Sequence, residues 1–364
     1  MDRSSSDADA TRSRRATITD VAQLAGVSRS AVSRVFNAQG GISAATEERI
    51  RDAARKLHWT PSATAIALRS ARSRTVGLVL NRPGVAKDGD PELPSGMFTG
   101  LEKVLARHDF GLLLHIATSA EHEEQTYRRL AEARRVDGVV LLESRVGDTR
   151  FELVRRLGLP AVLLGTPWVE DPISYIGHGP RGAGMREVAE HLLELGHRSI
   201  AAVSGPEDYV ESSHRDRILR EVLATGGAGL VAHHPGPYTP VTAAERTRAI
   251  LEQHPEITAI VYATDEMAIA GMATLREHGL RIPEDVSVVG YNGTDIGAWY
   301  SPALTTVRRD VSQRGRAAAR TLLGLMGVTV EASDEQVVDP ELVIRASTAP
   351  PRGAATATAT ATAG

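Results

Sequence analysis

The chain has 364 residues, of which 42% are hydrophobic, 24% charged and 4% aromatic, the balance of a globular protein long enough for two or three domains. It has no run of 18 apolar residues that could form a membrane-spanning helix, and no cysteine, which excludes disulfides, thiol nucleophiles and cysteine-based metal sites. The formal net charge of −3 is unevenly divided: residues 1–75 carry 13 Lys and Arg against 7 Asp and Glu, net +6, and the remaining 289 carry 29 against 38, net −9. A cationic head on an acidic body suits a protein that offers one end to phosphate.

In chain order, residues 1–16 are Ser, Asp and Arg without periodicity and without the apolar core of a signal peptide. They are expected to form a disordered arm of a cytoplasmic protein. Arg12, Arg14 and Arg15 of that arm either touch phosphate or belong to a solvated tail. Residues 17–58 read as three short helices. Thr19 is the expected N-cap of the first, with Val21, Leu24 and Ala25 on one face and Gly26 as its stop. Ser28 is the expected cap of a second helix, Arg29 to Phe36. Val32, Val35 and Phe36 face a core there, and Arg29, Ser30, Ser33 and Arg34 face outward. Two short helices around a glycine-containing turn, the second with a cationic face, are the pattern of a helix-turn-helix rather than of a plain helical hairpin. A third amphipathic helix carries Ile50, Ala53, Ala54 and Leu57. Thr60-Pro61 then pairs an N-cap with proline at the first helical position, opening a short segment of the hinge and linker, residues 59–74.

From Thr75 to residue 349 short apolar strands alternate with amphipathic helices, which predicts parallel α/β sheets. The strand candidates are TVGLVL, GLLLHIA, DGVVLLE, PAVLLG, ISYIG, SIAAVSG, AIVYATD and DVSVVGYN. So many strands exceed one compact core and predict two Rossmann-like subdomains, with ISYI a candidate crossing. Their expected extents are about 75–175 plus 308–337, and about 176–307 plus 338–349. The low-complexity tail 350–364 is expected to be disordered. GHGPRG, residues 177–182, fits the dinucleotide-binding spacing and supports a rival reading, an NAD(P)-dependent oxidoreductase. The next strand, SIAAVSG, ends without the acidic residue that would hold a ribose, and no proton-transfer constellation accompanies it.

The strings ITDVAQLAGVSRSAVSRVFN and HWTPSATAIAL resemble the headpiece of the lactose-repressor (LacI/GalR) family of bacterial transcription regulators. RVDGVVLL, LLELGHRSIAAVSGP, TDEMAIAGM, GLRIPEDVSVVGYN and YSPALTTV resemble the family's periplasmic-binding-protein-like core, so the resemblance spans residues 17–349. It implies a small all-α helix-turn-helix headpiece on an α/β core of two subdomains joined by three crossings, with a ligand between them. It also implies a homodimeric repressor, with no enzymatic activity or cofactor, that binds a pseudo-palindromic double-stranded operator and answers to a small metabolite, a carbohydrate. No leucine heptad precedes the end of the chain, so a tail-mediated tetramer is not expected.

The resemblance assigns roles residue by residue. Arg29, Ser30 and Arg34 stand where relatives read bases, and arginine pairs with guanine through two bonds. Thr17, Ser28, Ser33, Asn37, Ser43 and Thr46 match positions that hold the head on phosphate, although Ser28 and Ser43 are helix caps in any case. Ala31 and Gly41 stand where relatives often carry polar contacts. Leu68 matches the leucine that a hinge helix pushes into the minor groove. In the cleft, Arg215 matches an arginine that binds effector hydroxyls or carboxylate, and Thr264 an effector-facing position. Asn292 stands where aspartate is usual and Arg309 where glutamine is common; Asn81, Tyr209 and Glu211 are further candidates. Trp168 and Trp299 either stack on a sugar or pack at the subdomain boundary. His178-Gly179 replaces an Asp-Asn pair common in the family. The cleft is thus richer in arginine than a plain sugar site, which leaves an acidic or phosphorylated ligand open.

Overall fold

The computed structural model describes residues 16–36, 40–60, 72–82, 95–169, 173–177, 182–331 and 337–352. The chain divides into two units, residues 1–73 and 74–364. Asn37 and residues 61–71 of the expected hinge and linker, Pro61 and Leu68 among them, lie outside the described residues, as do residues 178–181 of the GHGPRG turn.

The first unit holds helices α1 (Ile18–Ala25), α2 (Arg29–Phe36) and α3 (Ala44–Lys56). The expected cap of α1 is displaced by two residues. Thr17 closes the helix, accepting from the Asp20 amide while the Asp20 carboxylate reaches back to the Thr17 amide at 2.7 Å. Thr19 lies inside the first turn. A reciprocal pair satisfies two orphan amides where Thr19 alone would satisfy one, so the box wins. Gly26 ends α1 at φ 65°, where a side chain would be strained. Leu24, expected on the inner face, is 52% exposed, and Ala22 takes its place beside Val21 and Ala25. The core closes with Val32, Val35, Ile50, Ala53 and Ala54, edged by Leu57 and by Phe36, whose ring meets Trp59 edge-on at 5.2 Å.

The second unit contains two sheets. The first joins β1 (Thr75–Asn81), β2 (Gly111–Ala117), β3 (Gly138–Leu142), β4 (Ala161–Leu164) and β5 (Ser174–Ile176), in the order β2-β1-β3-β4-β5, all parallel. Helices α4 (Ser95–Leu105), α5 (Ala120–Glu132) and α6 (Arg150–Arg156) connect these strands. After α7 (Ala183–Glu194) the second sheet is built from β6 (Ser199–Ser204), β7 (Gly229–Pro235), β8 (Ala259–Tyr262), β9 (Ser287–Asn292), β10 (Thr305–Arg308) and β11 (Glu341–Val343). Its order is β11-β10-β9-β8-β6-β7, parallel except for the β10–β11 pair. Helices α8 (Val210–Thr225), α9 (Pro240–Gln253), α10 (Asp265–Glu277), α11 (Asp295–Trp299) and α12 (Val311–Leu325) complete the unit.

The strands β7, β10 and β11 and the helix α12 were not among the sequence expectations. The strand β7, GLVAHHP, is an edge strand with two histidines and a proline, so its apolar pattern is faint. α12 returns the chain to the first sheet: its Ala318, Ala319, Leu322 and Leu323 are buried beside Leu78, Leu101 and Val140. It can approach α4 closely because glycines meet there. A Cβ on Gly100 would lie 2.0 Å from the Ser312 carbonyl oxygen, and one on Gly315 would lie 2.4 Å from that of Met97. The first sheet and α12 therefore share one core, and α7 to α10 flank the other.

Candidate DNA interface and effector cleft

On α2 the burial of Val32 and Val35 fixes which side faces out. Arg29, Ser30 and Arg34 are exposed, and Ser33 is half-buried. Among the described residues neither Arg29 nor Arg34 has an ion-pair partner, whereas Arg51 and Lys56 of α3 are paired with Glu47 and Asp52 at 2.7 and 2.9 Å. The hydroxyls are engaged first in caps. Ser28 Oγ accepts from the Ala31 amide at 3.2 Å and lies 2.8 Å from Ser30 Oγ. Ser43 Oγ accepts from the Thr46 amide and donates to Thr46 Oγ1 at 3.0 Å. Thr17, Ser28 and Ser43 thus all sit at helix N-termini, where backbone amides and the helix dipole favour an anion such as phosphate.

In the second unit the carboxyl ends of the two sheets meet along a polar seam. β1 ends at Asn81, which is 5% exposed and donates to Glu123 of α5 at 2.9 Å. Glu123 also takes Arg150 at 3.1 Å, and Arg150 in turn holds Asp148 at 2.7 Å, all four side chains being buried or nearly so. Arg145, 3.8 Å from Glu123, stacks over the Tyr209 ring at 5.3 Å. There the backbone crosses the seam: the Val210 amide donates to the Ser144 carbonyl at 2.9 Å and the Val146 amide to the Asp208 carbonyl at 2.8 Å. Glu211 makes a third crossing, accepting from the Thr166 amide at 2.9 Å.

The chain of contacts continues into the second sheet. Tyr209 lies 6.1 Å from Tyr238, whose hydroxyl accepts from Arg215 at 3.3 Å. Arg215 also donates to the Ala263 carbonyl at the end of β8, and its guanidinium stands 4.4 Å from the centre of the Tyr291 ring. Arg309 approaches the same ring at 5.2 Å and donates to Asn292 Oδ1 at 2.7 Å. Two of the positions at which the sequence departs from the resemblance, 292 and 309, are thus in direct contact. Asn292 holds φ at 119°, a backbone region that side chains disfavour and that persists only where the surrounding structure over-determines it. Six of the seven cleft candidates are joined in this way. Thr264, the seventh, follows Ala263, and its hydroxyl caps α10 by accepting from the Met267 amide at 3.2 Å.

Burial sets the ionisation of this seam. It pushes the Tyr238 phenol up to about 12 and raises Tyr209 as well, so both remain hydrogen-bond donors at neutral pH. Arg314 of α12, 7% exposed and donating to the Ile176 carbonyl at 2.9 Å, is pulled down to about 9 by burial and by the neighbouring Arg309 charge. Tyr238, Tyr291, Arg145 and Arg314 were absent from the sequence expectations. Tyr291 belongs to the quoted VVGYN string, but nothing local marks the other three. Of the two candidate tryptophans, Trp168 lies at the seam with its amide on Ser144 Oγ at 3.1 Å, whereas Trp299 is 88% exposed on α11 and does not pack at the subdomain boundary.

One constellation mimics a hydrolytic triad. Ser204 donates to Asp216 at 2.6 Å, and His233 is 2.9 Å from the other oxygen of that carboxylate. The carboxylate stands between the other two, so no imidazole is placed to take the serine proton, as that chemistry requires. Among the described residues no group of three or more His, Asp or Glu is placed to hold a metal ion.

A helix-turn-helix unit joined to two parallel sheets with a polar seam at their carboxyl ends defines a DNA-binding regulator with a ligand cleft. Residues 17–62 match the model for bacterial regulatory proteins of the lacI family, and residues 189–348 match a periplasmic binding protein-like domain. The chain is 33% identical over 343 residues to the HTH-type transcriptional regulator CelR of Thermobifida fusca, covering 92% of this chain and 99% of that protein. The lac repressor dimer bound to operator and the anti-inducer ONPF superimposes with a TM-score of 0.80 at 27% identity, over 92% of this chain and all of that one. A CelR–cellobiose complex matches with a TM-score of 0.67 at 31% identity, with the same coverage. The chain belongs to the LacI family of bacterial transcription regulators. The helix-turn-helix, the two-sheet core and the regulatory role follow as expected, and the oxidoreductase reading finds no support in these relatives.

Proposed function

We propose that the protein is a cytoplasmic homodimeric repressor whose two heads grip a pseudo-palindromic operator and whose seam binds a carbohydrate-derived effector. Arg29 and Arg34 read base edges, with Ser30 beside them. Thr17, Ser28, Ser33, Asn37, Ser43 and Thr46 position the head on phosphate. Leu68 acts as a wedge in the minor groove. The effector contacts come from Asn81, Tyr209, Glu211, Arg215, Thr264, Asn292 and Arg309. The observation that carries the reading is the continuous contact chain from Asn81 to Asn292, which joins the carboxyl ends of both sheets through side chains a ligand can engage. A ligand seated there touches both subdomains. It therefore binds their alternative arrangements with different affinity, the condition for shifting one to the other. The operator-bound and cellobiose-bound relatives support the two ligand classes.

The test is operator binding by fluorescence anisotropy with and without a panel of sugars. The expected outcome is specific binding by the full chain, altered by one class of carbohydrate, and no specific binding after removal of residues 1–74. Full affinity in the truncated protein contradicts the head assignment.

A further inference from the structure

Asp265, the first residue of α10, is a fully buried carboxylate behind the carboxyl end of the second sheet. One of its oxygens accepts from the Thr294 amide and from Thr294 Oγ1, the latter at 2.9 Å, and the other accepts from Thr306 Oγ1 of β10. Thr306 Oγ1 in turn accepts from the Gly293 amide at 3.3 Å. Gly290 of β9 leaves the room for this: a Cβ there would lie 2.4 Å from Asp265 Oδ1. One side chain of α10 thus ties the turn after β9 to β10. Burial raises the pKa of that carboxyl, and the bonds from Thr306 and Thr294 oppose the shift. Burying a carboxylate costs more than burying a neutral group of its size, and groups perturbed in this way concentrate at functional sites.

The turn it holds carries effector candidates. Asn292, just before Gly293, stands at φ 119° and accepts from Arg309 at 2.7 Å. Gly293, at φ 70°, lies so close to β10 that a Cβ would be 2.7 Å from Arg308 Cα. Three of the proposed contacts therefore adjoin the network. Thr264 precedes its carboxylate, Asn292 precedes its turn, and Arg309 follows the residue on which that turn rests. A disfavoured backbone such as that of Asn292 persists only while its surroundings fix it, and the bonds to Asp265 and Thr306 do so from the next two residues.

We propose that Asp265 is a positioning residue of the effector cleft: through Thr294 and Thr306 it holds the turn after β9 so that Asn292 and Arg309 meet the polar groups of the ligand. Side chains fixed before a ligand arrives lose less freedom when it binds, so affinity depends on the groups behind them. This rests on the reading of the seam as a carbohydrate cleft and adds what keeps that cleft in its binding shape.

The experiment compares the full-length wild type with Thr306→Val, Thr306→Ser, Asp265→Asn and, as a control, Ser287→Ala. Ser287 is fully buried at the opposite end of β9 and exchanges two hydrogen bonds with Ala349, at 3.0 and 3.1 Å, so its loss weakens the same sheet away from the seam. Hydrogen exchange of the unliganded proteins is read at the amides of 292–294. Calorimetric titration gives the affinity for whichever of D-glucose, D-galactose, D-ribose and cellobiose binds wild type. Thr306→Val and Asp265→Asn are expected to exchange faster at those amides and to bind the sugar about tenfold more weakly. Thr306→Ser, which keeps the hydroxyl, restores both, and Ser287→Ala lowers the melting temperature without changing either. If Thr306→Val does not fold, Thr294→Val, which removes one bond from a half-buried residue, carries the test with a loss of about threefold. The proposal is overturned if exchange at 292–294 or sugar affinity stays at the wild-type value in these variants, if Thr306→Ser binds no better than Thr306→Val, or if Ser287→Ala weakens binding as much. Binding of none of the four sugars by wild type overturns the carbohydrate reading instead, and exchange then decides by itself whether Asp265 holds the turn.

Discussion

The head and the seam use arginine in opposite ways. On α2, Arg29 and Arg34 project from a face whose fold is already complete beneath it, and neither has an ion pair among the described residues. In the seam, Arg145, Arg150, Arg215 and Arg309 are held by carboxylates, carbonyls or rings drawn from elements far apart in the chain. A surface that meets phosphate gains by releasing counterions and needs no further partner until DNA arrives. A seam that must convey the presence of a small molecule needs its groups coupled to one another. Changes in the head should therefore alter affinity and spare stability, whereas changes in the seam should alter stability and response together.

The strongest challenge to that contrast is Glu123→Ala. It leaves Arg150 with Asp148 alone and Asn81 without its acceptor in a nearly dry environment, and should lower the unfolding free energy by about 1–3 kcal/mol in denaturant titration. A loss below about 1 kcal/mol would mean that the seam is not interlocked. Acid should reach the second subdomain next. His197 is fully buried, sits 2.8 Å from Thr258 Oγ1 and 3.0 Å from the Ala349 carbonyl, and is pulled from 6.5 down to about 4, chiefly by burial. Below 6.5 the unfolded chain binds a proton that the folded one refuses. Stability is then full above that pH and falls by up to about 1.4 kcal/mol per pH unit between 6.5 and 4. Unfolding curves across that window should show the slope in wild type and a flatter one in His197→Gln.

Effects in the head should be smaller and of another kind. Arg34→Ala should weaken specific operator binding by about 1–3 kcal/mol, with random DNA much less affected and the unfolding free energy within about 0.5 kcal/mol of wild type. An equal loss on random DNA would make Arg34 a phosphate contact. Thr17→Ala removes the box that opens α1 and should cost about 1 kcal/mol of head stability, read from the helical signal on heating. Thr19→Ala, inside the helix, should cost less; the reverse ranking would restore the cap that the sequence pattern favoured.

The two regions also differed in how far the sequence disclosed them. The head was legible because its signals are local: caps, a glycine stop and apolar spacing within forty residues. Even so, spacing put Leu24 inside and missed the Asp20 reciprocal bond that moves the cap to Thr17. The strands buried on both faces were legible as apolar runs, the edge strand β7 lacked a contrast strong enough to read, and α12 went unread although its apolar face is as marked as those of the helices that were read. The seam was legible only as isolated candidates. Its partners stand at 81, 123, 145, 209, 238, 291 and 309, and no local period links them. Parallel sheets bring their strand ends to one edge, so residues hundreds of positions apart become neighbours only once the strand order is known.

The central claim is that occupation of the seam changes how the head binds DNA. It is tested most directly by the operator dissociation constant measured at fixed salt, with and without a saturating ligand of the seam, in wild type and in Arg215→Ala. The account predicts that ligand changes the wild-type constant by at least about fivefold, a coupling of about 1 kcal/mol. In Arg215→Ala it predicts near-wild-type binding without ligand and little change when ligand is added. A wild-type protein whose seam is demonstrably filled, yet whose operator affinity is the same in both conditions, would contradict it.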